Sequence, residues 1–143
     1  MDPLIVRQAG ELLLALLLGA IIGWERRVRG HPAGLHTNAL VALGAAAFVV
    51  GGVALGGNNP AVVPAQVVTG SGFICAGVIL HRGVNIQGLN TAATLWCVSA
   101  VGVLCAAGRA SLACVVASAV LITNVLLHLV EHHVFKSAPT KTI

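Results

Sequence analysis

The stretch GWERRVRGHPAGLHTNALVALGAAAFVV, residues 23–50, decides how this chain folds. A glutamate and three arginines fall in five positions, Glu25 to Arg29, with a long apolar run on either side. A soluble domain carries about 25% charged residues. This chain of 143 residues carries 8%, against 57% hydrophobic residues. That is too little charge to cover a water-facing surface. The charge cluster is therefore read as the polar end of a membrane hairpin, with apolar helices on both sides.

Working outward, five segments approach the roughly 20 apolar residues that cross a bilayer: 4–24, 37–56, 60–80, 89–108 and 110–130. The expected fold is all-α, a polytopic membrane bundle of about five transmembrane helices. The first run lacks a small-residue cleavage site before WERRVRG, so it is read as a retained helix rather than a signal peptide. Residues 1–135 form the expected transmembrane domain and residues 136–143 a short cytoplasmic tail. Arg26, Arg27, Arg29, Arg82, Lys136 and Lys141 fall on one side of the membrane, and Arg7 and Arg109 on the other. Positive residues favour the cytoplasm, so the N-terminus is expected outside and the C-terminus inside.

The arginines also suit a helix end, where cations meet the negative pole of the dipole. Gly30 and Pro32 then stop the helix. Glu25 and Arg29, four apart, are placed to pair. The formal charge of +4 is too small and scattered for nucleic acid.

Polar residues inside the apolar runs are the candidate functional cluster: Glu11, Glu25, Arg26, Thr37, Gln66, Thr69, Ser71, Asn90, Thr91, Thr94 and Asn124. Glu11 lies four residues from Arg7, and pairing would offset the cost of a membrane charge. Asn90 is a natural N-cap for the fourth span. Thr91 and Thr94 share a face. Asn124, His128 and Glu131 share a face of the last span, and His128 and His132 have metal-pair spacing without further ligands. No metal or cofactor is expected, and no Ser-His-Asp, H-E-x-x-H or phosphate loop points to an enzyme.

Small residues supply the helix-packing motif: Gly19, Gly23, Gly70, Gly72 and Gly77. GAIIG (19–23) is a G-x-x-x-G pattern that lets helices approach closely. In VTGSG (68–72) two readings compete. The glycines admit a neighbouring helix, or the helix opens around a site as in transporters. Close packing is the reading adopted, because an opened backbone leaves several polar groups needing partners. Cys75, Cys97, Cys105 and Cys114 form no C-x-x-C pair and read as small packing residues.

Three blocks in this order resemble the MgtC/SapB family of bacterial membrane proteins. GWERRVRGHPAGLHTNALVALGAAAF (23–48) is similar to its G-x-E-R followed by P-A-G-L-R-T and L-V-x-L-G. AQVVTGSGFICAGVIL (65–80) is similar to A-Q-V-V-S-G-I-G-F-L-G-A-G-V-I. VNIQGLNTAATLWCVSAVG (84–102) is similar to R-G-L-T-T-A-A-T-L-W. Departures fall at His36, Asn38, Ile74, Cys75 and Asn90, and the arginine expected before the third span is absent.

The resemblance implies a bacterial inner-membrane protein, a regulator that acts by binding other membrane proteins. It associates the chain with adaptation to low magnesium and survival in host cells, and names the ATP synthase among partners. The expected partners are the lipid bilayer, other membrane proteins and further copies of the chain, with no nucleic acid. A small transporter or channel for an ion or solute is the alternative. Many members carry a further cytoplasmic domain, whose functions are not carried over to EHHVFKSAPTKTI (131–143).

Overall fold

The computed structural model describes residues 2–56, 59, 61–82 and 85–134. Five helices follow one another: α1 (Pro3–Val28), α2 (Leu35–Ala54), α3 (Val62–Val78), α4 (Leu89–Ala106) and α5 (Ala110–Val134). Four of them, all but α3, are long and apolar enough to cross a membrane. With 17 residues, α3 rises only about 25 Å, short of the ~30 Å hydrocarbon layer.

The expected third span thus ends early, at Val78. Ile79 turns extended, and the chain forms a hairpin of β1 (Leu80–Arg82) and β2 (Asn85–Gln87), with Leu80 opposite Gln87 and Arg82 opposite Asn85. The alternating pattern LHR-GV-NIQ is the physical cause. Two short runs flank a glycine in the sequence, a pattern suited to paired strands that a 20-residue hydropathy window averages away. This two-stranded hairpin adds to an otherwise helical fold.

The charged stretch extends α1 rather than following it. Arg26 and Arg27 lie in its last turn, and Gly30 takes the left-handed φ of 74°. Gly30 N–H donates to Arg27 O, and His31 N–H donates to Arg26 O at 3.0 Å. This is the paired closure of a Schellman motif, which satisfies carbonyls the helix end leaves open.

The core lies where α1, α2 and α4 meet, with α5 laid against it. Ala15, Ile22, Ala42, Ala46, Val98, Val101, Cys105, Ala113 and Ala117 form one buried cluster. Small residues set the spacing. A Cβ on Gly19 would stand 2.7 Å from Ala42 Cβ, and one on Gly23 would stand 2.7 Å from Leu35 Cα. A Cβ on Gly102 would collide with the carbonyl of Ala42. Without these glycines the backbones could not approach so closely, and dispersion between them is what holds apolar helices together in lipid.

The expectation that the glycines of α3 face a neighbouring helix is corrected. Gly70, Gly72 and Gly77 have nothing within 4 Å of a Cβ position. The helix itself is continuous through Thr69–Phe73, so it does not open. It packs against α4 and meets α2 closely near one end, where Val63 crowds Gly52. Phe73 is 84% exposed and Phe48 70%. Such surfaces are costly in water but match hydrocarbon.

Candidate functional site

The structure brings the predicted polar residues to three places rather than one. The first is the end of the bundle that holds the α1–α2 loop. Arg26 is 1% exposed, carried inward by the α1 face that also presents Ile22 and Gly23. Its Nη2 donates to Thr91 Oγ1 of α4 at 2.9 Å. Its Nε is buried with no hydrogen-bond partner among the described residues. Glu25 forms the ion pair with Arg29, one turn along α1, that their spacing predicts, and does not cross to another helix. One helical turn brings those two groups together more cheaply than a crossing to another helix. Oε2 of Glu25 is buried without a hydrogen bond among the described residues.

Asn38 completes this end. It is 1% exposed, and its Nδ2 donates to Ala33 O at 3.0 Å and Gly34 O at 2.8 Å. The side chain thereby ties the P-A-G loop to the first turn of α2. Sequence reading marked Asn38 only as a departure. A polar residue directly after a P-A-G turn is the signal that points to it.

Asn90 is not the cap of α4. Gly88 is, with φ of 91°, and Asn90 is exposed one residue inside the helix. The reason is steric. A Cβ at position 88 would strike the carbonyl of Val78 where the hairpin recrosses the end of α3.

The second place is the opposite end. Arg7 Nε donates to Glu11 Oε1 at 2.9 Å, with the Glu11 side chain 13% exposed and that of Arg7 68%. The pair lies over the α4–α5 turn, where a Cβ on Gly108 would come within 3.2 Å of the Arg7 guanidinium. An open depression of about 480 Å³ is lined there by Arg7, Glu11, Leu14, Cys105, Gly108 and Ala110, among others.

The third place is a groove of about 760 Å³ between α2 and α3, floored by α4. Thr37, Gln66, Gly70 and Ser71 from the predicted set line it, joined by Ser99, which sequence reading missed. His36 also lines it, and its walls are otherwise apolar, including Leu40, Val41, Phe48, Val63 and Ile74. The hydroxyls turn back on their own helices. Ser71 donates to Val68 O at 2.9 Å and Ser99 to Trp96 O at 2.7 Å. Thr69 and Thr94 do the same, donating to Ala65 O and Asn90 O. These bonds satisfy those four hydroxyls locally, whereas Cys75 Sγ of α3 donates across to Ala92 O of α4 at 3.1 Å.

Asn124 stands apart on α5, half-buried, its Nδ2 without a hydrogen-bond partner among the described residues. The side chains of His128, Glu131 and His132 lie outside the described residues. Among the described residues no group of three or more His, Cys, Asp or Glu is placed to hold a metal. Cys105 is buried in the core, Cys75 and Cys97 are half-buried, and Cys114 is exposed, so only the first fits the expected core role fully.

Four helices long and apolar enough to cross a bilayer, around a glycine- and alanine-lined core, define a helical membrane protein. The particular kind follows from comparison: the chain belongs to the MgtC family, whose model matches residues 12–133. It is 50% identical over 117 residues to Protein MgtC of Salmonella typhimurium, covering 82% of this chain and 51% of that protein. It is 54% identical over 114 residues to Protein MgtC of Brucella abortus, covering 79% and 48%. The chain thus spans about half the length of the curated relatives it matches. No solved structure is significantly similar.

Proposed function

We propose that this chain is a regulator in the bacterial inner membrane that acts by binding other membrane proteins through its lateral helix faces. The observation that carries this reading is the sealed core. Ala15, Ile22, Ala42, Ala46, Val98 and Val101 have no exposed surface, so α1, α2 and α4 leave no lane for a solute between them. The hydroxyls of Thr69, Ser71, Thr94 and Ser99 donate within their own helices. What remains to offer a partner is lateral and apolar, above all along α5, where Leu112, Val115, Ile122 and Leu126 are exposed.

In this reading the N-terminus lies outside and the C-terminus inside, since the end bearing Arg26, Arg27, Arg29 and Arg82 follows the positive-inside rule. The polar cluster at Glu25, Arg26 and Thr91 sets the angle between α1 and α4, and so the shape offered to a partner. A role in adaptation to magnesium limitation, and the ATP synthase as one partner, are what the family resemblance suggests.

Reconstitution tests it. The purified chain in liposomes passes no ion or proton current above empty vesicles, while site-specific crosslinkers at Val115 and Ile122 capture a membrane protein in cells. A current that depends on Glu11 or Gln66 makes the chain a transporter instead.

A further inference from the structure

We infer that the groove between α2 and α3 is a binding site for an anionic phospholipid of the leaflet that meets the arginine-rich end. Its dimensions favour this occupant. From His36 to Phe48 the groove follows about 12 residues of α2, or about 18 Å at the helical rise. One leaflet contributes about half of the ~30 Å hydrocarbon core, roughly 15 Å. The groove therefore runs the depth of one leaflet and a little beyond. Spread over that length at the helical rise, 760 Å³ corresponds to a section of about 40 Å², enough room for extended acyl chains.

The chemistry of the walls agrees. Ser71 and Ser99 present no free donor, because each hydroxyl donates to its own helix. Gln66 lies near the far end, about a turn into α3. A polar solute would find little to bond along the middle, whereas a hydrocarbon chain loses nothing there.

Charge then selects the headgroup. His36 and Thr37 stand at the mouth. The stem of Arg27 lies over Gly34, so that a Cβ there would meet Arg27 Cβ and Cδ at 3.3 Å, and Arg27 is exposed. No acidic residue occurs in the first turn of α2. Glu25, the nearest acid in sequence, is taken by Arg29. A basic mouth over an apolar cleft between helices is the arrangement that binds acidic lipid headgroups.

Gly44 and Gly70 line the groove, and a Cβ on either meets nothing within 4 Å. Leucine at both positions should therefore fill the groove without disturbing the fold, which thermal unfolding checks. The experiment purifies the full chain in mild detergent and titrates it with phosphatidylglycerol or phosphatidylcholine, reading bound lipid by native mass spectrometry. The parent retains phosphatidylglycerol preferentially, and inorganic phosphate does not displace it. The Gly44→Leu/Gly70→Leu protein loses it. Arg27→Gln, which leaves the groove open, weakens the preference about fivefold, the worth of one surface cation near an anionic membrane.

Equal retention of both lipids by parent and filled protein overturns the proposal, since the lipid is then only a surrounding shell. Displacement by inorganic phosphate overturns the lipid as ligand. A parent dimer that the leucines dissociate, with lipid unchanged, gives the groove to a second copy instead.

Discussion

Arg26 of α1 and Thr91 of α4, 65 residues apart in the chain, meet through a buried 2.9 Å hydrogen bond from Nη2 to Oγ1. The contact joins two of the sequence blocks by which the family is known and fixes the arginine-rich end of the bundle. A guanidinium that is 1% exposed cannot trade this bond for water. Thr91→Val keeps the shape of the threonine and removes its acceptor, leaving a buried charged donor unmade at a cost of about 1–3 kcal/mol. Thermal unfolding of the purified protein should show that loss. In a background of Arg26→Met the same substitution should cost much less, because the donor is gone. Equal losses in both backgrounds would mean that the bond contributes nothing.

Glu25 acts through Arg29, within one helix. Both side chains are mostly shielded but retain some exposure, so this pair is weaker than a fully buried one and its removal is screened by water. Glu25→Gln should insert and express normally and lower stability less than Thr91→Val does. Its effect belongs in partner binding, measured by crosslinking yield in cells. Wild-type yield would reduce the Glu25–Arg29 pair to part of an anchor.

The glycines divide by sign. Gly102 faces the carbonyl of Ala42, so even a methyl group there forces α2 and α4 apart. Gly102→Ala should destabilise by about 1–3 kcal/mol, the usual penalty of overpacking. Gly72 faces open space, and Gly72→Ala should stabilise by up to about 1 kcal/mol through helix propensity. Melting temperatures of the two variants should move in opposite directions. A shared direction would contradict the positions of α2 and α3.

That contrast shows where the sequence was legible. Runs of about 20 apolar residues placed α1, α2, α4 and α5, because lipid imposes that length. GAIIG and TGSG looked alike as packing signals, yet Gly19 and Gly23 admit α2 while Gly70 opens a groove. Both carry paired glycines, and only what packs against each helix face separates them. Arg26 and Thr91 were both legible as polar residues out of place, but their pairing was not, since it depends on the rotation of α1 about its axis. Asn38 and Ser99 were missed for a related reason: their importance lies in which carbonyl or cleft each one faces.

The proposed orientation rests on charge. Arg26, Arg27 and Arg29, at the C-terminal end of α1, lie at the same end of the bundle as the β hairpin, and Arg7 and Arg109 at the other. Reporter fusions at residues 30 and 143 should both report cytoplasm. A periplasmic signal from either would reverse the assignment.

Glu11 tests how the opposite end is held. Its carboxylate is largely shielded, while Arg7, its partner at 2.9 Å, is mostly in the open. The two partners are therefore unequal. Removing Arg7 strands a shielded carboxylate beside Cys105 and Gly108, whereas removing the carboxylate leaves an arginine that can turn toward the headgroups. Breaking a shielded pair from the exposed side is the more damaging change, because an uncompensated charge stays behind. Arg7→Ala should thus lower the melting temperature more than Glu11→Gln. The double variant Arg7→Ala/Glu11→Gln should recover most of what Arg7→Ala loses, since the amide needs no counter-charge. If the double variant is as unstable as the two losses summed, the groups act independently and the pair does not secure the α4–α5 turn.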